Sequence, residues 1–259
     1  MLTLQDSRRN ITIKNHGSKK GCYVTTFQAP LGIYRGYHRG IYLDPSAEVR
    51  ADALDIIRAQ GIRWGAYGDP AALPLDVIKA WTPEGARWTG YSHQWRTAPE
   101  GFSDYLMASA DSLDDAIEAH SRGWRTFRVD DEANPLDGEI SCPASDEAGK
   151  LTDCRTCGLC NGSSGSSGRI NRQVTPTKWK RPQNGVVLYE GPSAIDGSPI
   201  VAIVTGFKDP SKNDKTGTML QVWILRADVE PHEAQKTGAD SAVCGDCPMR
   251  PLLIKQLTN

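Results

Sequence analysis

The sequence predicts an α/β fold: a partial or irregular barrel of parallel βα units carrying an antiparallel β-rich flap. Three observations lead there. Between residues 46 and 129, strand-like and helix-like segments alternate at short intervals, the pattern of parallel βα units. From residue 185 to 229, three runs of branched and aromatic residues are separated by Gly, Pro, Asp and Ser turns, the pattern of an antiparallel meander. The composition, 39% hydrophobic and 24% charged over 259 residues, is that of a globular chain long enough to bury a core. No apolar run approaches the roughly 20 residues that span a bilayer. No 20- to 50-residue repeat is visible.

The elements follow in order. The N-terminal MLTLQDSRRN lacks the apolar core of a signal peptide, which predicts a cytoplasmic protein. Ile33 to Tyr42, IYRGYHRGIY, reads as a half-buried strand pair with solvated arginines. Ser46 to Gln60 starts at a Ser N-cap with Glu48 behind it and places Val49, Ala53, Ile56 and Ile57 on one helical face. Gly61 closes that helix, and IRWGAYGDP follows as a strand with a Gly-Asp-Pro loop. A short helix from Leu75 to Trp81 precedes two strands, ARWTGYSH and DYLMASA. Ser112 to Ser121 is a helix stopped by Gly123, and WRTFRVD is the next strand. VVLYEG, PIVAIVTGF and TMLQVWILRADV form the meander.

Seven cysteines are the informative count, because an odd number in a cytoplasmic chain points to metal ligation or chemistry instead of a disulfide framework. Cys142, Cys154, Cys157 and Cys160 form C-x11-C-x2-C-x2-C. Two-residue gaps let neighbouring thiolates wrap one cation, and Gly158 frees the backbone for that turn. Four thiolates satisfy tetrahedral zinc, and three close cysteines with a distant fourth also suit a [4Fe-4S] cluster. Asp130, Asp131, Glu132, Asp137, Glu139, Asp146, Glu147 and Asp153 crowd this segment and disfavour an anionic nucleic acid, so the site reads as structural. Cys244 and Cys247 form a second C-x2-C, which finds a third ligand in Cys22 only if the two ends of the chain meet. His16 or an exogenous group would be the fourth ligand. A buried, apolar Cys22 is the plainer alternative.

GSSGSSG, residues 162–168, reads as a flexible linker of the engineered type, with a natural Ser/Gly loop as the alternative. It follows the cysteine cluster directly and precedes a fresh basic start. The chain therefore reads as a circular permutant whose natural order runs from about residue 169 to 259 and then from 1 to about 162. This gives an α/β domain over 1–161, the linker over 162–168, and a β-rich segment over 169–259 that completes the same domain.

Ligands of open α/β sheets and barrels bind at the C-terminal ends of the strands. Asp69 and His93, with Tyr91, Gln94 and Trp95, fall on that rim, as do Ser109 and Asp111. Asp69, Tyr91 and His93 are the candidate catalytic residues, with His93 the natural acid–base group. A turn-capping Asp69 and a structural His93 are the plain alternatives. Arg125 and Arg128 lie on or near the same edge. Tyr34, Arg35, Tyr37, His38 and Arg39 interleave aromatics with cations, as surfaces that stack on DNA or RNA bases do. Basic residues at Arg8, Arg9, Lys14, Lys19 and Lys20, and at Arg169, Arg172, Lys178, Lys180 and Arg181, would extend such a patch, although the formal net charge is only -1. No P-loop, GxGxxG, HExxH or GxSxG occurs, which excludes the corresponding kinase, dehydrogenase, zincin and hydrolase motifs.

CGDCP followed by CYV, GAYGDPAALP, TGYSHQW, LMASADS, GWRTFRV, CPAS and CRTCGLC resemble a family of bacteriophage and plasmid-borne proteins without a settled activity. The resemblance implies a phage origin, residence in the cytoplasm of the infected bacterium, and two cysteine sites. In that family the CGDCP and CY motifs come before the GAYGDP segment, so the order here departs as a permutation would. More distantly, a barrel with three-cysteine and four-cysteine sites resembles radical-SAM enzymes, whose CxxxCxxC hallmark is absent. The expectation is a phage-type metal-binding protein that binds or processes nucleic acid. An iron–sulfur enzyme with a three-cysteine catalytic cluster and a non-enzymatic, metal-stapled interaction module are the alternatives.

Overall fold

A computed structural model of the chain describes residues 2–4, 26–129, 135, 138–144, 152–163, 185–207, 219–231 and 233. Cys22, Cys244, Cys247, His16, the basic clusters at 8–20 and 169–181, and residues 164–168 of the expected linker lie outside the described residues.

Among the described residues, helices mix with two five-stranded sheets. β1 is Leu2–Leu4, α1 Ala29–His38, α2 Ala47–Gln60, β2 Ile62–Tyr67 and α3 Leu75–Ala80. β3 is Trp88–Thr89, β4 Tyr91–Ser92, β5 Met107–Ala110, α4 Leu113–Ser121 and β6 Thr126–Val129. β7 is Ile140–Ser141, α5 Cys154–Cys157, β8 Val186–Pro192, β9 Pro199–Thr205 and β10 Leu220–Arg226. One sheet is wholly parallel, in the order β4-β5-β6-β1-β7. The other, β3-β2-β10-β9-β8, is mixed: β8, β9 and β10 form the expected antiparallel meander, and β10 pairs in parallel with β2. The meander therefore supplies three of the five strands of a sheet, where the sequence predicted a flap. Among the described residues, no ladder joins the outer strands β7 and β8, so closure into a barrel is not seen.

The two sheets meet at Gly90. The segment ARWTGYSH, expected as one strand, is split there into β3 in the mixed sheet and β4 in the parallel one. A Cβ on residue 90 would stand 2.5 Å from Leu106 Cδ2 and 3.1 Å from Trp64 Cβ, so a larger residue there would have to displace the buried Leu106 side chain.

The helix signals hold where they are local. Ser46 caps α2 by accepting from the Val49 N–H, and Gly61 ends it at φ +78°. Ser112 caps α4 in the same way through the Asp115 N–H. Ala53, Ile56 and Ile57 of α2 pack on one face of the mixed sheet, with Ile62, Trp64, Ile200, Ala202, Val204, Val222 and Ile224 buried beneath them. On the opposite face lie Val187, Val201, Ile203 and Leu225, against Ile33, Tyr34 and Tyr37. Those three residues sit on α1, where the sequence reading expected strands. Pro30 near its first turn and the helical spacing of Ile33, Tyr34 and Tyr37 account for the helix. Gly36 lets the Tyr42 ring pack against the helix, since a Cβ there would stand 2.7 Å from the Tyr42 hydroxyl.

Candidate metal centre and rim pocket

Register divides the side chains of the parallel sheet between its faces. Tyr91 pairs with Met107 and Ser109 with Phe127, so these four share one face. Ser92, Ala108, Ala110, Thr126 and Arg128 occupy the other, and Ala116 and Ala119 of α4 are buried on that side of the strands.

The cysteine segment lies on the first face. Met107, Phe127, Cys142 and Cys160 are buried together, with Tyr91, Ala144 and Leu159 packed against them. β7 delivers Cys142. Cys154 and Cys157 sit on α5, a single turn that Asp153 caps by accepting the Thr156 N–H at 2.7 Å. Gly158 ends the turn in the left-handed region at φ +63°, and its N–H reaches the Cys154 carbonyl. Three arginines hold the segment to the body of the protein. Arg87 Nη1 donates to the carbonyls of Arg155 and Thr156 at 2.6 and 2.9 Å, satisfying C-terminal groups of the turn. Arg155 Nη2 donates to Ala59 O at 2.9 Å. Arg125 Nη1 donates to Asn161 Oδ1 and Gly162 O at 3.0 and 2.9 Å. The Gly90 N–H adds a bond to Cys160 O at 3.1 Å.

Gly162 and Ser163, the first two residues of the expected linker, belong to this docked segment. Ser163 donates from its backbone to Ser103 O and from its hydroxyl to Asp104 Oδ1. A Cβ on residue 162 would lie 2.4 Å from Asp104 O.

All four cysteines of the segment are in the thiol form. Burial, with Cys142, Cys154 and Cys157 close by, pushes the Cys160 thiol up to about 12. Burial likewise raises Cys154, against the opposing pull of Arg63. Among the described residues, no group of three or more His, Cys, Asp or Glu side chains is converged as a metal shell. The four thiols are thus neighbours on one docked loop, and a cation would have to draw them together and displace their protons.

The sequence placed Tyr91 beside His93 in one pocket, and the structure separates them. Tyr91 stacks near Phe127 at 4.7 Å between ring centroids and hydrogen-bonds the Cys160 thiol; burial and that neighbour hold its phenol well above the ordinary range. Tyr91 therefore walls the cysteine cluster.

Asp69 is buried at 4% exposure and does not line the pocket either. Its Oδ1 accepts the Ala71 N–H at 2.9 Å, capping the 3-10 turn Pro70–Ala72. Its Oδ2 accepts the backbone N–H groups of His93 at 2.7 Å and Gln94 at 3.3 Å. The carboxylate ties the loop after β2 to the loop after β4. Burial pushes its pKa up, while those N–H donors and His93 pull it down.

His93 alone of the three candidates lines the rim pocket, a hollow of about 140 Å³ bordered also by Trp95, Arg96, Ser109, Asp111 and Asp115. Its Nε2 stands 3.0 Å from Ser109 Oγ and 3.9 Å from Asp111 Oδ2. Arg96 lies 4.0 Å over the Trp95 ring and is held by Asp115 and by Glu118 at 2.9 Å. Sequence reading passed over this stacked arginine, although the adjacent Trp95-Arg96 pair was a visible signal.

Arg128 is not a rim residue. It makes a buried, two-pronged pair with Glu139, both contacts at 2.8 Å. The aromatic–basic segment also differs from a stacking surface. Tyr34 and Tyr37 pack on the mixed sheet, Tyr37 hydrogen-bonds Glu190, and Arg35 pairs with Glu230 at 3.4 Å. His38 and Arg39 remain exposed at the helix end. No helix among the described residues is long and apolar enough to cross a membrane.

Compared with known proteins, the chain matches no family model, no curated protein and no solved structure.

Proposed function

We propose that the chain is a phage-type metal-binding protein in which Cys142, Cys154, Cys157 and Cys160 together hold one zinc ion that staples the parallel sheet. The observation that carries this reading is the docked turn: two C-x2-C steps share a capped, left-handed-terminated turn, and the fourth cysteine arrives from β7 into the same buried cluster. Four thiolates close a tetrahedral shell, which suits a structural ion. Arg87 orients the peptide groups of the turn through the carbonyls of Arg155 and Thr156. Binding energy of this kind is folding energy, because the shell does not exist in the unfolded chain. Nucleic-acid binding through α1 has less support, since its tyrosines are engaged with the sheet.

Metal analysis of protein purified without oxygen tests the reading. The expected result is bound zinc that is lost from the double variant Cys154→Ser/Cys157→Ser. Metal content unchanged in that variant, or no metal in the wild type, would overturn it. A brown, iron-containing protein would replace zinc with an iron–sulfur cluster.

A further inference from the structure

The rim pocket has a chemistry of its own that the cysteine site does not use. Ser109 lies near the end of β5 and His93 just beyond β4, two positions further along than Met107 and Tyr91. With a rise of roughly 3.3 Å per residue, this puts the two side chains about 7 Å along the strands from Met107 and Tyr91, which pack in the cysteine cluster on the same face. At that level the apolar wall gives way to a hydroxyl, an imidazole and a carboxylate.

We propose that Ser109 is a nucleophile activated by His93, and that the pocket accepts small acyl esters. A serine hydroxyl becomes reactive when a neighbouring base within hydrogen-bond reach takes its proton. The 3.0 Å contact from Ser109 Oγ to His93 Nε2 meets that requirement, in a hollow at the C-terminal ends of parallel strands. Asp111 plays a different part from the carboxylate of a serine protease. Its Oδ2 stands 3.9 Å from the same Nε2, the nitrogen that receives the proton. The orientation of the loop comes instead from Asp69, which fixes the backbone N–H groups of His93 and Gln94.

The step balances with the substrate and water alone. Ser109 Oγ bonds to the acyl carbon while its proton passes to His93 Nε2. The bond from that carbon to the alcohol oxygen then breaks, and the leaving oxygen takes the proton. Water releases the acid by the same route, restoring Ser109. A volume of about 140 Å³ holds on the order of four or five water-sized groups, which suits a short acyl part. Arg96, stacked on Trp95 and held by Asp115 and Glu118, forms the border of the hollow.

The test is covalent labelling of the full chain with a short dialkyl fluorophosphate. Its phosphorus bonds to Ser109 Oγ as fluoride leaves and the proton passes to His93. The expected result is one adduct, located on Ser109 by peptide mass spectrometry, absent from Ser109→Ala and formed at least about a hundredfold more slowly in His93→Gln. Hydrolysis of 4-nitrophenyl acetate should fall in parallel, with the circular-dichroism melt of both variants unchanged. Absence of label, label elsewhere, or equal labelling of His93→Gln would overturn the proposal. Metal content of the same samples reports separately on the zinc reading.

Discussion

The two sheets are built from different materials. In the mixed sheet, β9 buries every residue from Ile200 to Val204, and apolar side chains cover both faces. In the parallel sheet the strands are two to four residues long, and the buried set includes Ser92, Ser109, Thr126, Arg128 and Glu139. Thr126 Oγ1 is buried there without a hydrogen-bond partner among the described residues. Apolar burial, worth roughly 1.5–3 kcal/mol for each large side chain, is enough for the first sheet. The second replaces it with hydrogen bonds, an ion pair and the cysteine loop. Both candidate sites fall on this second sheet, because a polar interior is the one that can present thiols, hydroxyls and imidazole in fixed positions.

The sharpest way to break this contrast is to remove a polar support. Glu139→Gln removes the negative charge from the buried pair with Arg128, and the expected cost is about 3–5 kcal/mol in urea denaturation. Glu139 directly precedes the strand that carries Cys142, so the variant should also release zinc more readily to a chelator. A cost below about 1 kcal/mol, with zinc retained, would mean that the parallel sheet does not depend on this pair.

The matching change in the mixed sheet is Ile203→Ala. Ile203 is fully buried, packed with the tyrosines of α1. A cavity of this kind costs about 3 kcal/mol. Zinc retention and Ser109 labelling should be untouched at temperatures where the variant is folded. If both fell as they do in Glu139→Gln, the two sheets would behave as one unit and the comparison would fail.

What the sequence made legible follows the same division. α2 and α4 were readable because their caps, Ser46 with Gly61 and Ser112 with Gly123, act within one turn. The strands of the meander were readable because branched residues declare themselves in short runs. α1 was not, because tyrosines interleaved with glycines suit strands as well as a helix, and the docking on β8 to β10 that decides the matter comes from 150 residues further on. The split at Gly90 depends on Leu106, and the fate of Arg128 on Glu139, neither of which a local window reveals. The cysteine spacing was legible as a pattern. The assignment of Tyr91 to that cluster, and of Ser109 to His93, required the register between β4 and β5.

Asp69 gives the smallest expected effect and the finest probe of the polar half. In Asp69→Asn one oxygen acceptor becomes an amide that faces backbone N–H groups, at a cost of about 1–3 kcal/mol. The wild-type carboxyl carries a second signature. Burial raises its folded-state pKa above the ordinary 3.8, so the folded protein holds this proton more tightly than the unfolded chain. Its stabilising contribution is complete below the unfolded value and is lost as pH rises through the folded one. The stability gap between wild type and Asp69→Asn should therefore be widest at acid pH and narrow upward from about pH 4, a trend that urea midpoints at several pH values would show. If the gap widened with rising pH instead, the three N–H donors would outweigh burial. Asp69 would then be an ionised clasp that strengthens the loop holding His93 at neutral pH.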